Sequence, residues 1–253
     1  MKPTILYEDG DVLAIDKPSG LVVHSDGLPA QAGKTKEETL VDWLIEKYPE
    51  MENVGEPVRV EAGSKKHDKR SGERIFRPGI VHRLDRETSG VMLVAKNQKS
   101  FENLKRQFQN HEIVKKYEAF VFGRVKNNEG KIDRPIGRSS SDFRKWSAQR
   151  GARGEMREAQ TDYRVISKNN EYSFLEIIPK TGRTHQIRVH MKAINYPLVG
   201  DSLYAPKKEN SLGFERTALH SREVTFTGLD STKHKVEAPY PEDFSRAIKL
   251  LQN

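Results

Sequence analysis

A single α+β domain, with a mixed, mostly antiparallel sheet and flanking helices, is what this sequence predicts, and three observations carry the prediction. Strand-like and helix-like apolar patterns alternate along the whole chain. No polar linker separates two halves and no repeat or low-complexity tract interrupts them, so residues 1–253 read as one domain. The chain is also long enough to bury a core, although hydrophobic residues make up only 35% of it and charged residues 32%.

The elements follow in order. Ile5–Tyr7 and Val12–Ile15 flank Glu8-Asp9-Gly10-Asp11, a hairpin signal, and Lys17-Pro18-Ser19-Gly20 then turns the chain before Leu21-Val22-Val23. Glu38 or Thr39 opens a helix whose Leu40, Val41, Leu44, Ile45 and Tyr48 share one face, and Pro49 stops it. Val91–Ala95 is a continuous apolar run, expected as a buried strand. A helix with a basic outer face is expected from about Lys99 to Asn110, on the stripe Phe101, Leu104 and Phe108. Strands are expected at Lys116–Gly123, Thr161–Ser167, Tyr172–Ile178 and Glu223–Thr227. Ile187, Met191 and Ile194 give the segment after Gly182 a helical stripe, Gly200–Tyr204 reads as a loop, and Phe244, Ala247, Ile248 and Leu251 mark a terminal helix.

Charge and composition narrow the function. The net charge is +8, and two stretches hold most of it: residues 62–79, with six Lys/Arg against two acids, and residues 137–158, with six against three. The first has no apolar period and reads as a basic loop that includes Lys65 and Lys66. The second interleaves Phe143 and Trp146 with Arg144 and Lys145, a combination that suits phosphate and unpaired bases, or equally a solvated loop tethered by a Trp. The absence of cysteine excludes disulfides, thiolate metal sites and thiolate attack on a pyrimidine ring. No signal-like apolar run is present, and no segment approaches the ~20 apolar residues that span a bilayer, so a cytoplasmic protein that does not engage membranes is expected.

The most informative stretch is His82-Arg83-Leu84-Asp85-Arg86-Glu87-Thr88-Ser89-Gly90, a loop that sets an acid between two arginines and feeds the strand at Val91. Taken alone, Asp85 is as well explained by a surface pairing with Arg83 or Arg86. Together with Asp16–Leu21, Lys115-Lys116-Tyr117-Glu118-Ala119, the run Thr181–His190 and Pro197-Leu198-Val199-Gly200-Asp201, in that order, it resembles the RluA-type pseudouridine synthases over nearly the whole chain.

The resemblance implies a pseudouridine-synthase-like catalytic domain that isomerises uridine to pseudouridine in structured RNA, ribosomal or transfer, without cofactor or metal. By it Asp85 is the catalytic carboxylate, Arg188 the arginine that pairs with it, and Tyr117 the ring that packs on the target uracil, with Ile187 and Leu198 on the apolar side of the base pocket. It also gives Arg83 as the group that occupies the space of a flipped base, where a plain phosphate clamp is the alternative. His82, Arg86, Arg183 and His185 join the expected RNA contacts, the last two with loop bracing as an equal reading. The Lys17-Pro18 motif reads as structural, and Asp9, Asp11, Asp16 and Asp201 as turn or strand-end acids. The chain starts directly with the catalytic domain, without the small RNA-binding domain of some relatives, and a monomer is expected. A catalytically silent RNA-binding protein on the same fold is the rival, and the joint presence of Asp85, Tyr117 and Arg188 argues for the enzyme.

Overall fold

The computed structural model describes residues 2–24, 37–59, 74–75, 77–148 and 152–252. The N-terminal hairpin forms as expected from β1 (Thr4–Glu8) and β2 (Val12–Lys17). Asp9 Oδ1 closes its turn by accepting the N–H groups of Asp11 and Val12 at 2.7 and 2.6 Å. Helix α1 (Leu40–Lys47) starts where Thr39 and Asp42 cap each other reciprocally, and Pro49 opens a 3-10 turn to Met51. A short pair, β3 (Val58–Arg59) and β4 (Arg74–Ile75), precedes β5 (Ser89–Ala95), which is buried along its full length. Helix α2 (Gln98–Gln109), capped by Asn97, leads into β6 (Val114–Phe122) and β7 (Glu129–Asp133).

A small three-stranded sheet follows, made of β8 (Ile136–Arg138), β9 (Trp146–Ser147) and β10 (Arg153–Arg157). The chain then returns to the main sheet through β11 (Gln160–Lys168) and β12 (Tyr172–Pro179), and α3 (Gln186–Ala193) departs from the end of β12. Strands β13 (Leu219–Thr227) and β14 (Lys233–Glu237) and helix α4 (Glu242–Gln252) complete it.

The main sheet has the order β1-β2-β5-β13-β6-β12-β11-β7, with β14 also paired to β13. Only β5 and β13 run parallel, so the sheet is mixed and mostly antiparallel, as the sequence predicts. Alternation along β6 divides the core between its two faces. Tyr117, Ala119 and Val121 belong to the larger cluster with α1 and α2, whereas Phe120 and Phe122 point the other way and pack with Phe174, Phe214 and Phe244 of α4.

That topology places the functional loop. The loop bearing Asp85 enters β5 at Ser89, opposite His220 of β13, and the next β13 residue, Ser221, lies opposite Tyr117. Gly90 makes this junction with φ +106°; a Cβ there would stand 2.2 Å from the Ser221 carbonyl oxygen, so only glycine fits. Lys17, fully buried, locks the loop from the other side. Its ammonium donates to the carbonyls of Pro18, Leu21 and Arg86 at 2.9, 2.9 and 3.1 Å, which bears out the structural reading of that motif.

The sequence missed β3, β4, β7, β8, β9, β10 and β14, and saw only the second half of β13; β4 lies within the 62–79 stretch read as a loop. Strand β7 is an edge with one buried residue, and all of β10 is exposed, so neither carries an apolar period. The first half of β13, Leu219-His220-Ser221-Arg222, buries a His and a Ser where apolar residues are expected. Lys65 and Lys66, like most of the 62–79 loop, lie outside the described residues.

Candidate active site

Asp85 sits at the wall of a cavity of about 560 Å³ that opens beside the ends of β5, β6 and β12 and the start of α3. A turn bonds Thr88 N–H to the Asp85 carbonyl at 3.1 Å and fixes the backbone, leaving the carboxylate side chain 28% exposed. Arg188 Nη1 donates to Asp85 Oδ2 at 3.1 Å, and His185 Nε2 lies 3.8 Å from the same oxygen. Oδ1 has no hydrogen bond to a described residue. The carboxylate is therefore held by one oxygen and leaves the other available to a ligand.

Arg188 is itself held. Its Nε and Nη2 donate to Asp201 Oδ2 and Oδ1 at 2.7 and 2.9 Å, a bidentate pair buried on both sides. Burial works against the guanidinium charge, but Asp201 and Asp85 outweigh it and hold the group above its ordinary pKa. Asp201 also accepts the N–H groups of Leu203 and Tyr204 at 3.0 and 2.9 Å. It is thus a turn acid, as read from sequence, and also the anchor that aims Arg188 at Asp85, which the sequence reading missed.

Two residues of the cavity wall adopt left-handed backbone, His111 at φ 59° and His185, the N-cap of α3, at φ 55° and ψ 20°. A non-glycine residue in the left-handed region costs about 1–3 kcal/mol, sustained only where the surroundings fix it. Gln186, buried, does so for His185 by accepting from Thr181 Oγ1 and Arg183 N–H and donating to Gln160 O and Thr161 Oγ1. The His185 Nδ1 meets the Tyr204 hydroxyl at 2.9 Å, and that hydroxyl accepts the backbone N–H of Trp146. Burial lowers the His185 pKa despite the pull of Asp85, so its ring is neutral near pH 7.

Tyr117 reaches the cavity from β6, 9% exposed; burial chiefly, with Asp85 adding to it, pushes its phenol up to about 12. Ile187 lines the apolar side as expected. Leu198 does not reach it: fully buried, it bridges to Val121 in the core, and Leu219 takes the place assigned to it. Lys115, two residues before Tyr117 and on the same sheet face, also lines the cavity. Its ammonium is lowered by burial, lies 5.8 Å from the Phe108 ring centre, and has no ion pair among the described residues.

The expected RNA-contact residues divide. Arg83 is exposed at the cavity rim, with Nη1 donating to His24 Nε2 at 3.2 Å; Arg183 is exposed there too, with Nε on the Glu158 carbonyl. His82 borders the cavity, but its Nε2 accepts the Leu93 N–H at 2.9 Å while its ring stacks on Phe108. Burial pushes it down to about 3, so it is a neutral peg under the loop and supplies no cation. Arg86 turns away from the cavity to Glu37 at 2.5 Å. Arg144 and Lys145 lie on the turn between β8 and β9, where Arg144 takes both oxygens of Asp142. Among the described residues no group of three His, Asp or Glu side chains converges as a metal site.

Comparison with known proteins bears on this geometry. Residues 11–193 match the family described as RNA pseudouridylate synthase. A Bacillus subtilis protein called an uncharacterized RNA pseudouridine synthase is 36% identical over 249 residues, covering 98% of this chain and 72% of its own length. The ribosomal large subunit pseudouridine synthase D of Pseudomonas aeruginosa is 36% identical over 263 residues, covering 98% of this chain and 71% of its own. Among solved structures, human RNA pseudouridylate synthase domain containing 1 superposes with a TM-score of 0.68 at 25% identity, over 95% of this chain and 84% of that one.

Proposed function

This chain belongs to the RNA pseudouridylate synthase family, and we propose that Asp85 is the carboxylate with which it converts uridine to pseudouridine in a structured ribosomal or transfer RNA. The reaction breaks the bond between the sugar C1′ and uracil N1, turns the base, joins C1′ to C5, and moves the C5 proton to N1. It is an isomerisation, so atoms and electrons balance with nothing added. The observation that carries the assignment is the asymmetry of Asp85, which lines the cavity: Oδ2 is held by Arg188, and Oδ1 has no bond to a described residue. A free, fixed carboxylate oxygen serves either covalent attack or removal of a sugar proton.

The other roles follow from position. Tyr117 is a neutral phenol at pH 7 and offers a flat face for the uracil while its glycosidic bond is open. Ile187 and Leu219 exclude water beside it, and Asp201 acts through Arg188 as a positioning residue. Arg83, exposed at the rim, is the group for the space vacated when the nucleotide turns out. The ribosomal choice is supported by the name of the Pseudomonas aeruginosa relative. Residues 1–253 act as one catalytic unit, supported by a main sheet that draws strands from both ends of the chain. A monomer acting in the cytoplasm completes this reading; none of the described helices is long and apolar enough to cross a membrane.

Mapping pseudouridine across total RNA from cells with and without the gene tests the reading, together with conversion of unmodified ribosomal RNA transcripts by the purified chain. We expect a small number of sites to vanish and the same sites to be restored in vitro. An unchanged map together with no conversion in vitro would overturn the proposal.

A further inference from the structure

A second cavity, of about 190 Å³, lies between the small sheet and α3, with Tyr204 in its wall. Its lining includes Ser139 and Ser141, whose hydroxyls are 3.1 Å apart, and the two lysines Lys145 and Lys192; no acid lines it. Lys192, in the last turn of α3, stands 5.5 Å from the Tyr204 ring centre and has no ion pair among the described residues. Lys145 is 3.7 Å from Asp142 Oδ2, but Arg144 already engages both Asp142 oxygens, at 3.1 and 2.9 Å. One acid therefore faces two cations there, and the wall of the cavity keeps a surplus of positive charge.

Size and surroundings identify the ligand. The volume falls below the roughly 300 Å³ at which pockets for organic ligands begin, yet exceeds several times the ~30 Å³ of one water. A tetrahedral anion with part of its hydration fits; a nucleoside does not. Hydroxyl donors with ammonium groups are the chemistry that phosphate oxygens accept from. Phe143, on the same turn, is 84% exposed, a ring of the kind on which an unpaired base stacks. A site for free phosphate would leave that ring without a purpose.

We propose that this cavity binds one phosphodiester group of the RNA strand that carries the target uridine, shared between Lys145 and Lys192. The inference rests on the RNA-modifying reading above and adds a subsite to it. Tyr204 lines this cavity, and its hydroxyl meets Nδ1 of His185, whose Nε2 lies 3.8 Å from Asp85 in the wall of the first cavity. The two cavities are thus linked through the His185 and Tyr204 rings, and a strand with its target nucleotide at Asp85 brings a flanking phosphate to the lysines.

The test is binding of the full chain to an oligouridylate long enough to cross both cavities, measured across a potassium chloride series. Losing one single-strand phosphate contact lowers the slope of log affinity against log salt by ~0.7. Lys145→Ala and Lys192→Ala should each lower it, and the double variant should fall by about 0.7 in total, because both act on one phosphate. Lys192→Arg should keep most of the wild-type slope, and Lys249→Ala, on exposed α4, all of it. Slopes unchanged in both alanine variants would overturn the subsite. So would losses that add fully in the double variant, which would mean two separate phosphates. A 31P NMR titration with inorganic phosphate separates the sources: saturable binding lost on Lys192→Ala, with the RNA slope unmoved, would make this a free-anion site and sink the proposal. None of these readouts needs turnover. A chain that converts no uridine yet loses slope would keep the subsite and lose the role given to Asp85; a chain that converts uridine with slopes unmoved would do the reverse.

Discussion

The two cavities linked through His185 and Tyr204 hold their cations differently. Beside Asp85 the cation that touches the acid is internally committed: Arg188 divides its donors between Asp201 and Asp85, and the rings of His185 and Tyr117 are neutral at pH 7, while Lys115 on the same wall has no ion pair among the described residues. Around Ser139 and Lys192 the cations exceed the acids, and the walls are the half-exposed turns of a small sheet. Groups that must react are held in place before the ligand arrives, at the cost of burying charge. Groups that only hold a backbone keep their charge for the ligand, and their contribution is diffuse and screened by salt.

The largest effects are expected at the two aspartates that share Arg188. Asp85→Asn should reduce pseudouridine formation by more than about 10³-fold, the scale on which losing a nucleophile or general base is felt, while RNA affinity stays nearly intact. Stability should change little, because Asp85 is 28% exposed and Arg188 keeps its bidentate partner. Substantial turnover by the purified Asn variant would remove Asp85 from the chemistry. Asp201→Ala should do the opposite in the first instance. It strips a fully buried acid from a buried guanidinium and leaves the N–H groups of Leu203 and Tyr204 unsatisfied, so unfolding in urea should come about 3–5 kcal/mol easier. Activity should fall with it as Arg188 loses its aim. An Asp201→Ala chain as stable as wild type would mean that the pair does not hold the site.

A smaller effect separates the two readings of Arg83, which the structure places at the cavity rim with its guanidinium against His24. If it fills the gap left by the turned-out nucleotide, Arg83→Ala should slow single-turnover conversion of a stem-loop by about tenfold more than that of an unstructured strand with the same flanks, since only the stacked base has an unstacking cost to offset. Equal losses on both RNAs, shrinking as salt rises, would leave it a phosphate clamp.

How much of this was legible without coordinates follows from where the signal lies. The hairpin, the buried β5 and the helix stripes are read correctly because their apolar periods are strong, as in Val91–Ala95. The small sheet and β7 are not, because all five residues of β10 face solvent and leave no period to read. In the site, Asp85, Tyr117, Ile187 and Arg188 converge on the cavity as the motifs imply, whereas Leu198 does not, because a Leu suits a pocket and a core equally well. The site roles of Asp201, Tyr204 and Gln186 escaped notice for a different reason. Their importance lies in what they bond across the fold, 13 residues apart for Asp201 and Arg188 and 58 for Tyr204 and Trp146, and no local pattern records it. The acid that ends Pro197-Leu198-Val199-Gly200-Asp201 was the one available clue.

His82 marks the limit of reading a motif by residue type, and its test is the gentlest. A histidine between Val81 and Arg83 in a basic loop reads as a cation for RNA, yet burial holds its ring neutral, down to about 3, and His220 is held down to about 4 by burial, Arg216 and Arg222. Above pH 6.5 neither the folded nor the unfolded chain protonates these rings, and stability is at its full value. Below 6.5 the unfolded rings take up protons that the folded ones refuse, so stability falls as pH drops, until the folded pKa values are reached. Each such proton contributes a slope of about 1.4 kcal/mol per pH unit. His82→Gln keeps an acceptor for the Leu93 N–H but cannot titrate. It should be somewhat less stable than wild type at pH 7 and lose stability more slowly as pH falls, the gap between the two chains closing by about 1.4 kcal/mol per unit over the range where only the unfolded ring is charged. Urea midpoints measured from pH 7 down to 4 read this directly. Parallel curves would mean that the folded ring accepts a proton as readily as the unfolded one, and His82 would return to the list of cations that face RNA.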